Sequence, residues 1–228
     1  MNEIINIDQS ILYLFNGSHS LYVDTLMTVF TNAFTWVPLY LVLIFVIIKN
    51  NETMPQILLA IGGAVLCVLI TDLIADFIVK PYVERWRPTQ DPLIKYTVDV
   101  VNGIRETKYG FFSAHAANTF GIAVFVSLLV RSKMLTWMMC LWSLLNCYTR
   151  LYLGVHYPGD ILVGLFCGAV VGVLVYFAYF KIYNKISPNL NYISTQYTST
   201  GYCHNDIHLV FNIMMYTIVV VSICAIFV

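Results

Sequence analysis

Six long apolar stretches, near residues 32–48, 56–79, 115–131, 134–153, 160–180 and 208–228, constrain this chain more than any other feature. Each is close to the roughly 20 residues that a helix needs to cross about 30 Å of hydrocarbon. Composition agrees, since 59% of residues are hydrophobic and only 11% charged, with a mean hydropathy of +0.76, far from the make-up of a soluble domain. The expected fold is all-α, a polytopic membrane helical bundle with about six transmembrane helices. Residues 1–31 mix apolar and polar side chains around a break at Asn16-Gly17-Ser18, which suits an amphipathic interfacial segment, with a seventh span as the alternative. Residues 32–183 would form the membrane-embedded core. Residues 184–228 would add a polar connector, containing Pro188 and Gly201, and an extra C-terminal transmembrane helix that reads as an appendage.

Twelve basic residues balance twelve acidic ones, so net charge gives no reason to expect a nucleic-acid partner. No Lys or Arg precedes Lys49, and without the basic region of a cleavable signal peptide the amino terminus is expected to be retained. Cys67, Cys140, Cys147, Cys167 and Cys224 lie in apolar runs and Cys203 in a polar stretch; they read as small hydrophobes rather than disulfides or metal ligands. Lys49, the pair Arg131 and Lys133, and the pair Lys181 and Lys185 mark three short loops as cytoplasmic, because basic loops stay inside. The loop GVHYPG carries no Lys or Arg and should face outward. Helix parity puts the loop of roughly residues 80–113 on that same outer side, yet it carries Lys80, Arg85, Arg87, Lys95, Arg105 and Lys108. Either the topology is inverted or a bound anion keeps those charges outside.

Three short stretches carry chemistry. In KPYVERWRP, Lys80 and Arg87 bracket a segment in which Pro81 should end the second span. Taken alone, Arg85 would snorkel to lipid headgroups. In YGFFSAHAANTF, Ser113 occupies an N-cap position, so the amides of Ala114 to Ala116 would point free donors at an anion, with His115 in the first turn. In TRLYLGVHYPGD, His156 precedes Asp160 by four residues, so both share a face if the helix extends back that far. A carboxylate holding one imidazole nitrogen leaves the other free to attack. Each stretch alone has a blander reading as a headgroup contact, a cap or an interfacial histidine, and one His with one Asp is too few ligands for a metal. Parity brings all three to one membrane face. Two histidines, a serine and three cations beside a helix amino terminus describe a phosphate site with its own nucleophile.

Those stretches resemble the signature motifs K-x6-R-P, P-S-G-H and S-R-x5-H-x3-D of the type 2 phosphatidic acid phosphatase superfamily. The resemblance runs from about residue 24 to 180 and includes the LFNGSHSLYVDTLM opening common in bacterial members. It implies that His156 forms a phosphohistidine, that Asp160 orients it, and that His115 protonates the leaving oxygen and then activates water. Lys80, Arg87 and Arg150, with Ser113 and the amide of Ala114, would bind the phosphoryl oxygens, with no metal and no cofactor. Two departures stand out: Phe112-Ser113-Ala114-His115 replaces P-S-G-H, and Thr149 replaces the serine before Arg150. Alanine keeps the backbone donor but adds a Cβ where glycine lets phosphate come close.

The resemblance implies an integral-membrane lipid phosphatase of the bacterial inner membrane, with its site on the periplasmic side and a membrane lipid phosphate as substrate. Undecaprenyl diphosphate ranks first, the 1-phosphate of lipid A second, and phosphatidylglycerol phosphate or phosphatidic acid third. Rivals are a phosphotransferase using the same residues and a phospholipid-binding or transport protein with an inactive site. Lys95, Asp99, Arg105, Glu106 and Lys108 should govern substrate choice. Asp76 is expected to pair with Lys80 or a neighbouring helix, while Asp72, deeper in the span, has no assignment. Asn146 is expected to hold Arg150, and His19, His204 and His208 to sit at the membrane surface without chemistry.

Overall fold

The computed structural model describes residues 2–18, 20–186 and 195–227; His19 and Pro188 lie outside them. These residues form eight helices: α1 (Asn2–Phe15), α2 (Leu21–Phe30), α3 (Val37–Lys49), α4 (Met54–Val83), α5 (Ala114–Val130), α6 (Lys133–Tyr152), α7 (Pro158–Ile186) and α8 (His204–Cys224). Local chemistry sets their ends. Thr53 and Gln56 form a reciprocal capping box at the start of α4, and the Ser113 and Ser132 hydroxyls accept from amides in the first turns of α5 and α6. A large buried cluster around Trp36, Leu39, Phe125, Trp142 and Val171 fills the space between helices.

Among the described residues three helices are long and apolar enough to cross a membrane, α4 at 30 residues, α7 at 29 and α8 at 21, and a fourth span arises if α2 and the segment Ala33–Lys49, bent by 70°, count as one. The expected six is not reached by that measure. The reason is length and polarity: α3 has 13 residues, about 20 Å of helix, and α5 has 17, about 26 Å, while α6 carries Lys133 and Arg150 at its two ends.

Helix α4 runs on past Pro81 to Val83, where Glu84 turns left-handed at φ 49°. A π-helical stretch, Leu73–Val79, precedes that last turn. Wider winding shifts the hydrogen-bond register, so the missing proline N–H falls at the start of a new turn and not inside an unbroken ladder. The expected stop therefore comes three residues later, and Lys80 stays on a helix. Helix α8 is no appendage. Ile207, Val210 and Met214 belong to the main core, and Asp206 accepts from Lys49 Nζ at 2.6 Å and Asn50 Nδ2 at 2.9 Å.

The tightest contact is between α5 and α7. Gly164, Gly168 and Gly172 lie on one stripe of α7, and a Cβ built on them would come within 2.6, 2.4 and 2.7 Å of the carbonyl oxygens of Ser113, Ala117 and Gly121. Small residues let two backbones approach where apolar lipid provides no hydrophobic push between helices. This contact sets the amino end of α5, with Ser113 and His115, against the amino end of α7, with Asp160. At the same end α1 holds down the loop that follows α4: Asn16 Nδ2 donates to the carbonyls of Asp99 at 3.0 Å and Tyr152 at 2.9 Å, and Leu12 packs with Ile94, Val98 and Tyr157.

Gly168→Val should lower the thermal unfolding midpoint in detergent, because a branched side chain placed 2.4 Å from the Ala117 carbonyl overpacks the contact by about 1–3 kcal/mol. Gly62→Ala, where nothing lies within 4 Å, should leave the midpoint unchanged or slightly higher.

Candidate active site

The amino ends of α5 and α7, the last turns of α4 and α6, and the loop after α4 close around a cleft of about 720 Å³. Its walls include Lys80, Arg87, Glu106, Ala114, His115, Arg150 and His156. Residues separated by up to eighty positions in the chain, from Asp76 to His156, thus share one space. Asp160 and Ser113 are wholly buried behind the wall. Ser113 Oγ accepts from the Ala116 amide at 3.4 Å and its own amide donates to the Asp160 carbonyl at 3.1 Å, so this side chain shapes the wall.

His156 is almost fully buried. Its Nε2 lies 2.8 Å from Arg87 Nη1, and because a guanidinium only donates, Nε2 is the acceptor and the ring proton sits on Nδ1. Nδ1 in turn faces Asp160 Oδ2 at 3.5 Å, a loose approach. Burial first, then the charges of Arg87 and Arg150, push the proton affinity of His156 well below the usual imidazole range. The ring is therefore neutral, with a lone pair at Nε2 directed to the cleft's cations.

Arg87 and Arg150 are both buried, at 3% and 4% exposure, and one carboxylate joins them. Glu106 Oε2 lies 2.9 Å from Arg87 Nη1, and Glu106 Oε1 accepts from Arg150 Nη2. Burial opposes the charge on Glu106, but Arg150 and Arg87 outweigh it and hold the carboxyl at about 2 against an ordinary 4.5. The Nε atoms of both arginines are buried without a hydrogen-bond partner among the described residues. These are donors that the Glu106 bridge leaves unused beside the cleft. Lys80 pairs with Asp76 one turn back, as the sequence spacing suggested. His115 Nε2 donates to the Thr31 carbonyl at 3.0 Å, and the Thr31 hydroxyl accepts from Arg150 Nη1 at 2.8 Å.

Several side chains differ from expectation. Arg85 turns inward: Nη1 donates to Asp160 Oδ1 at 2.7 Å and Nη2 to Asp8 Oδ2 at 2.6 Å. A buried carboxylate attracts it more strongly than the headgroup region would. Asn146 donates to the Trp142 carbonyl at 2.9 Å within its own helix, leaving Arg150 to Glu106 and Thr31. Asp72 accepts from Asn118 Nδ2 at 2.7 Å, an inter-helix tie below the cleft. His204 and His208 are exposed on α8. The sequence offered no signal for Asp8, Thr31 or the bridging role of Glu106, because each acts on a partner far along the chain. Among the described residues no three His, Cys, Asp or Glu side chains converge as a metal site.

A helical membrane protein with a buried histidine, a carboxylate behind it and arginines in front is a membrane phosphatase in architecture. Residues 56–184 match the PAP2 superfamily, and the chain belongs to that superfamily, as a hydrolase. It is 38% identical over 81% of its length, and 82% of the relative's, to the lipid A 4′-phosphatase of Bacteroides thetaiotaomicron. The lipid A 4′-phosphatase of Porphyromonas gingivalis is 33% identical over 78% of this chain and 75% of its own. The undecaprenyl-diphosphatase BcrC of Bacillus subtilis is 27% identical over 75% and 80%. The crystal structure of a transmembrane PAP2-type phosphatidylglycerolphosphate phosphatase from Bacillus subtilis shares the fold, with a TM-score of 0.59 and 22% identity over 83% of this chain and 90% of that one.

The Glu106 bridge makes a prediction about pH. A carboxyl held at about 2 in the folded protein and near 4.5 when unexposed to these arginines contributes stability that is full above pH 4.5 and lost as pH falls toward 2. The midpoint difference between wild type and Glu106→Gln should therefore be largest above pH 5 and shrink steadily below 4.5. A difference independent of pH would show that the carboxylate is not paired as described.

Proposed function

We propose that this protein is a lipid A phosphatase of the bacterial inner membrane, acting on the periplasmic face through a phosphohistidine at His156. The observation that carries the catalytic part is the pairing of a neutral His156, its lone pair at Nε2, with two buried arginines that a carboxylate already occupies. In this reading Glu106 holds the phosphate position at rest and leaves when a phosphomonoester enters. Arg87, Arg150 and Lys80 then bind the phosphoryl oxygens, with the Ala114 amide at the helix end and Ser113 holding that end in place. Nε2 attacks phosphorus as the bond to the lipid oxygen breaks, and His115 gives that oxygen its proton. The positive charge on the phosphorylated imidazole is balanced by Asp160 behind it. His115, now unprotonated, takes a proton from water, the oxygen attacks phosphorus, and phosphate leaves with His156 restored. Every charge in this scheme comes from side chains, so it runs without a metal.

The substrate ranking rests on the relatives. Two lipid A 4′-phosphatases at 38% and 33% identity favour lipid A over undecaprenyl diphosphate, which a relative at 27% supports as the second choice. In this reading lipid A ranks ahead of undecaprenyl diphosphate, and the 4′-phosphate ahead of the 1-phosphate. The cleft wall is compatible with a sugar phosphate: Tyr109 and Lys108 line it, and Trp86 behind them packs edge to face on Tyr109 at 5.7 Å with Lys108 standing 4.3 Å over its ring. Such a wall offers aromatic surface and a cation together. The outer location is supported by the short loop GVHYPG, which has no Lys or Arg, and by the basic short loops of the opposite face, with a bound anion as the reason that the loop of residues 80–113 keeps its six cations outside.

Purified protein in detergent with EDTA should release phosphate from lipid A faster than from undecaprenyl diphosphate or phosphatidic acid. His156→Ala should lower release by at least about a thousandfold, and mass analysis of the product should locate the loss at the 4′ position. Release that survives His156→Ala would refute the nucleophile. A higher rate with undecaprenyl diphosphate would move the substrate to the second choice.

A further inference from the structure

Behind His156 the site continues beyond the residues that the three motifs supply. Asp160 has no solvent exposure, and its two oxygens have separate duties. Oδ2 faces His156 Nδ1 at 3.5 Å and accepts from the Tyr157 amide at 3.0 Å. Oδ1 accepts from Arg85 Nη1 at 2.7 Å. The other prong of the same guanidinium, Nη2, donates to Asp8 Oδ2 at 2.6 Å, and Asp8 Oδ1 accepts from the Gly159 amide at 2.9 Å. The plane of Arg85 lies over the Tyr157 ring, 4.3 Å from its centroid. Gly159 leaves room for the approach, since a Cβ there would stand 2.8 Å from Asp8 Oδ2 and push that carboxylate aside. One planar fork therefore ties a carboxylate on α1 to the carboxylate behind the nucleophile.

We propose that Arg85 and Asp8 are positioning residues for His156: Arg85 holds Asp160 ionised and turned so that Oδ2 faces the imidazole, and Asp8 holds Arg85. The proposal rests on the phosphohistidine reading above. Its physical basis is that a wholly buried carboxylate loses its charge unless a cation or donors hold it, and only an ionised Asp160 can balance the charge that forms on His156 during phosphoryl transfer. A lysine at position 85 would keep the positive charge but could not span both carboxylates in one plane. With one positive and two negative charges, the group behind His156 is net anionic and complements the cations in front of it. Helix α1 thereby contributes to catalysis although none of its residues lines the cleft, and its seating on the core becomes a condition for turnover.

The test is steady-state phosphate release from lipid A by wild type, Arg85→Lys and Asp8→Asn in detergent, with vanadate binding and the unfolding midpoint measured on the same samples. Wild-type turnover that depends on His156 establishes the underlying reading independently; if no wild-type turnover is found on any lipid, that reading fails before this one is reached. For both variants kcat should fall about tenfold or more, with KM and vanadate affinity within about threefold, because the phosphate-facing side is untouched. Arg85→Lys should also move the acid limb of the kcat profile to higher pH, since Asp160 loses its best partner and takes up a proton more easily. Asp8→Ala should fall further than Asp8→Asn, which keeps an acceptor for Gly159. Unchanged kcat and pH profile in folded variants would overturn the proposal. So would a loss of kcat matched by an equal loss of vanadate-binding protein, which would mean that the network serves folding alone.

Discussion

Two guanidinium groups, on Arg87 and Arg150, are buried at one end of the bundle and share the same few ångströms of space. Like charges out of water are costly by several kcal/mol each unless an anion joins them, and much of the surrounding structure follows from that requirement. The loop after α4 carries Glu106 into the gap, folding back so that the Arg87 amide donates to the Lys108 carbonyl at 3.1 Å and the Gly110 amide to the Arg85 carbonyl at 2.9 Å. Burial, reinforced by the same positive field, keeps His156 unprotonated, which is the state the proposed nucleophile needs. An arrangement that demands an anion and presents a lone pair beside it is already poised for phosphoryl transfer.

The bundle supplies this arrangement through backbone contacts. Because Gly164, Gly168 and Gly172 admit the carbonyls of α5 to within what would be contact distance of a Cβ, the amino ends of α5 and α7 are set side by side. Ser113 binds one to the other through the Asp160 carbonyl. The π-helical stretch in α4 keeps Lys80 on a helical turn facing the cleft, and α1 with Asn16 staples the irregular loop from outside. Lys80 and Arg150 thus sit on helices, whereas Arg87, His156 and Glu106 sit on loops between them.

Much of this was legible in the sequence. The spacing of Lys80 and Arg87, of Ser113 and His115, and of Arg150, His156 and Asp160, together with helix parity, brought those residues to one face, and the cleft unites most of them. What was not legible depends on pairs distant in sequence. Arg85 reaches Asp160 across 75 positions and Asp8 across 77, and no local pattern announces a charge that turns inward where headgroups would also accept it. Hydropathy read α3 and α5 as full spans because it measures apolarity, which says nothing of their short lengths. Pro81 looked like a terminator because the change of winding before it has no sequence signature, and Asn146 looked like a partner for Arg150 because helical spacing allows contacts that the fold then assigns elsewhere.

In the proposed mechanism Glu106 and phosphate compete for the same two arginines. Titration of wild-type protein and Glu106→Gln with orthovanadate, followed by calorimetry at neutral pH, measures that competition directly. Removal of the resident carboxylate should tighten vanadate binding by about tenfold, a coupling of roughly 1.4 kcal/mol. An affinity that is unchanged or weaker in the variant would contradict the account, because it would mean that the anion binds elsewhere or needs Glu106 for its own binding.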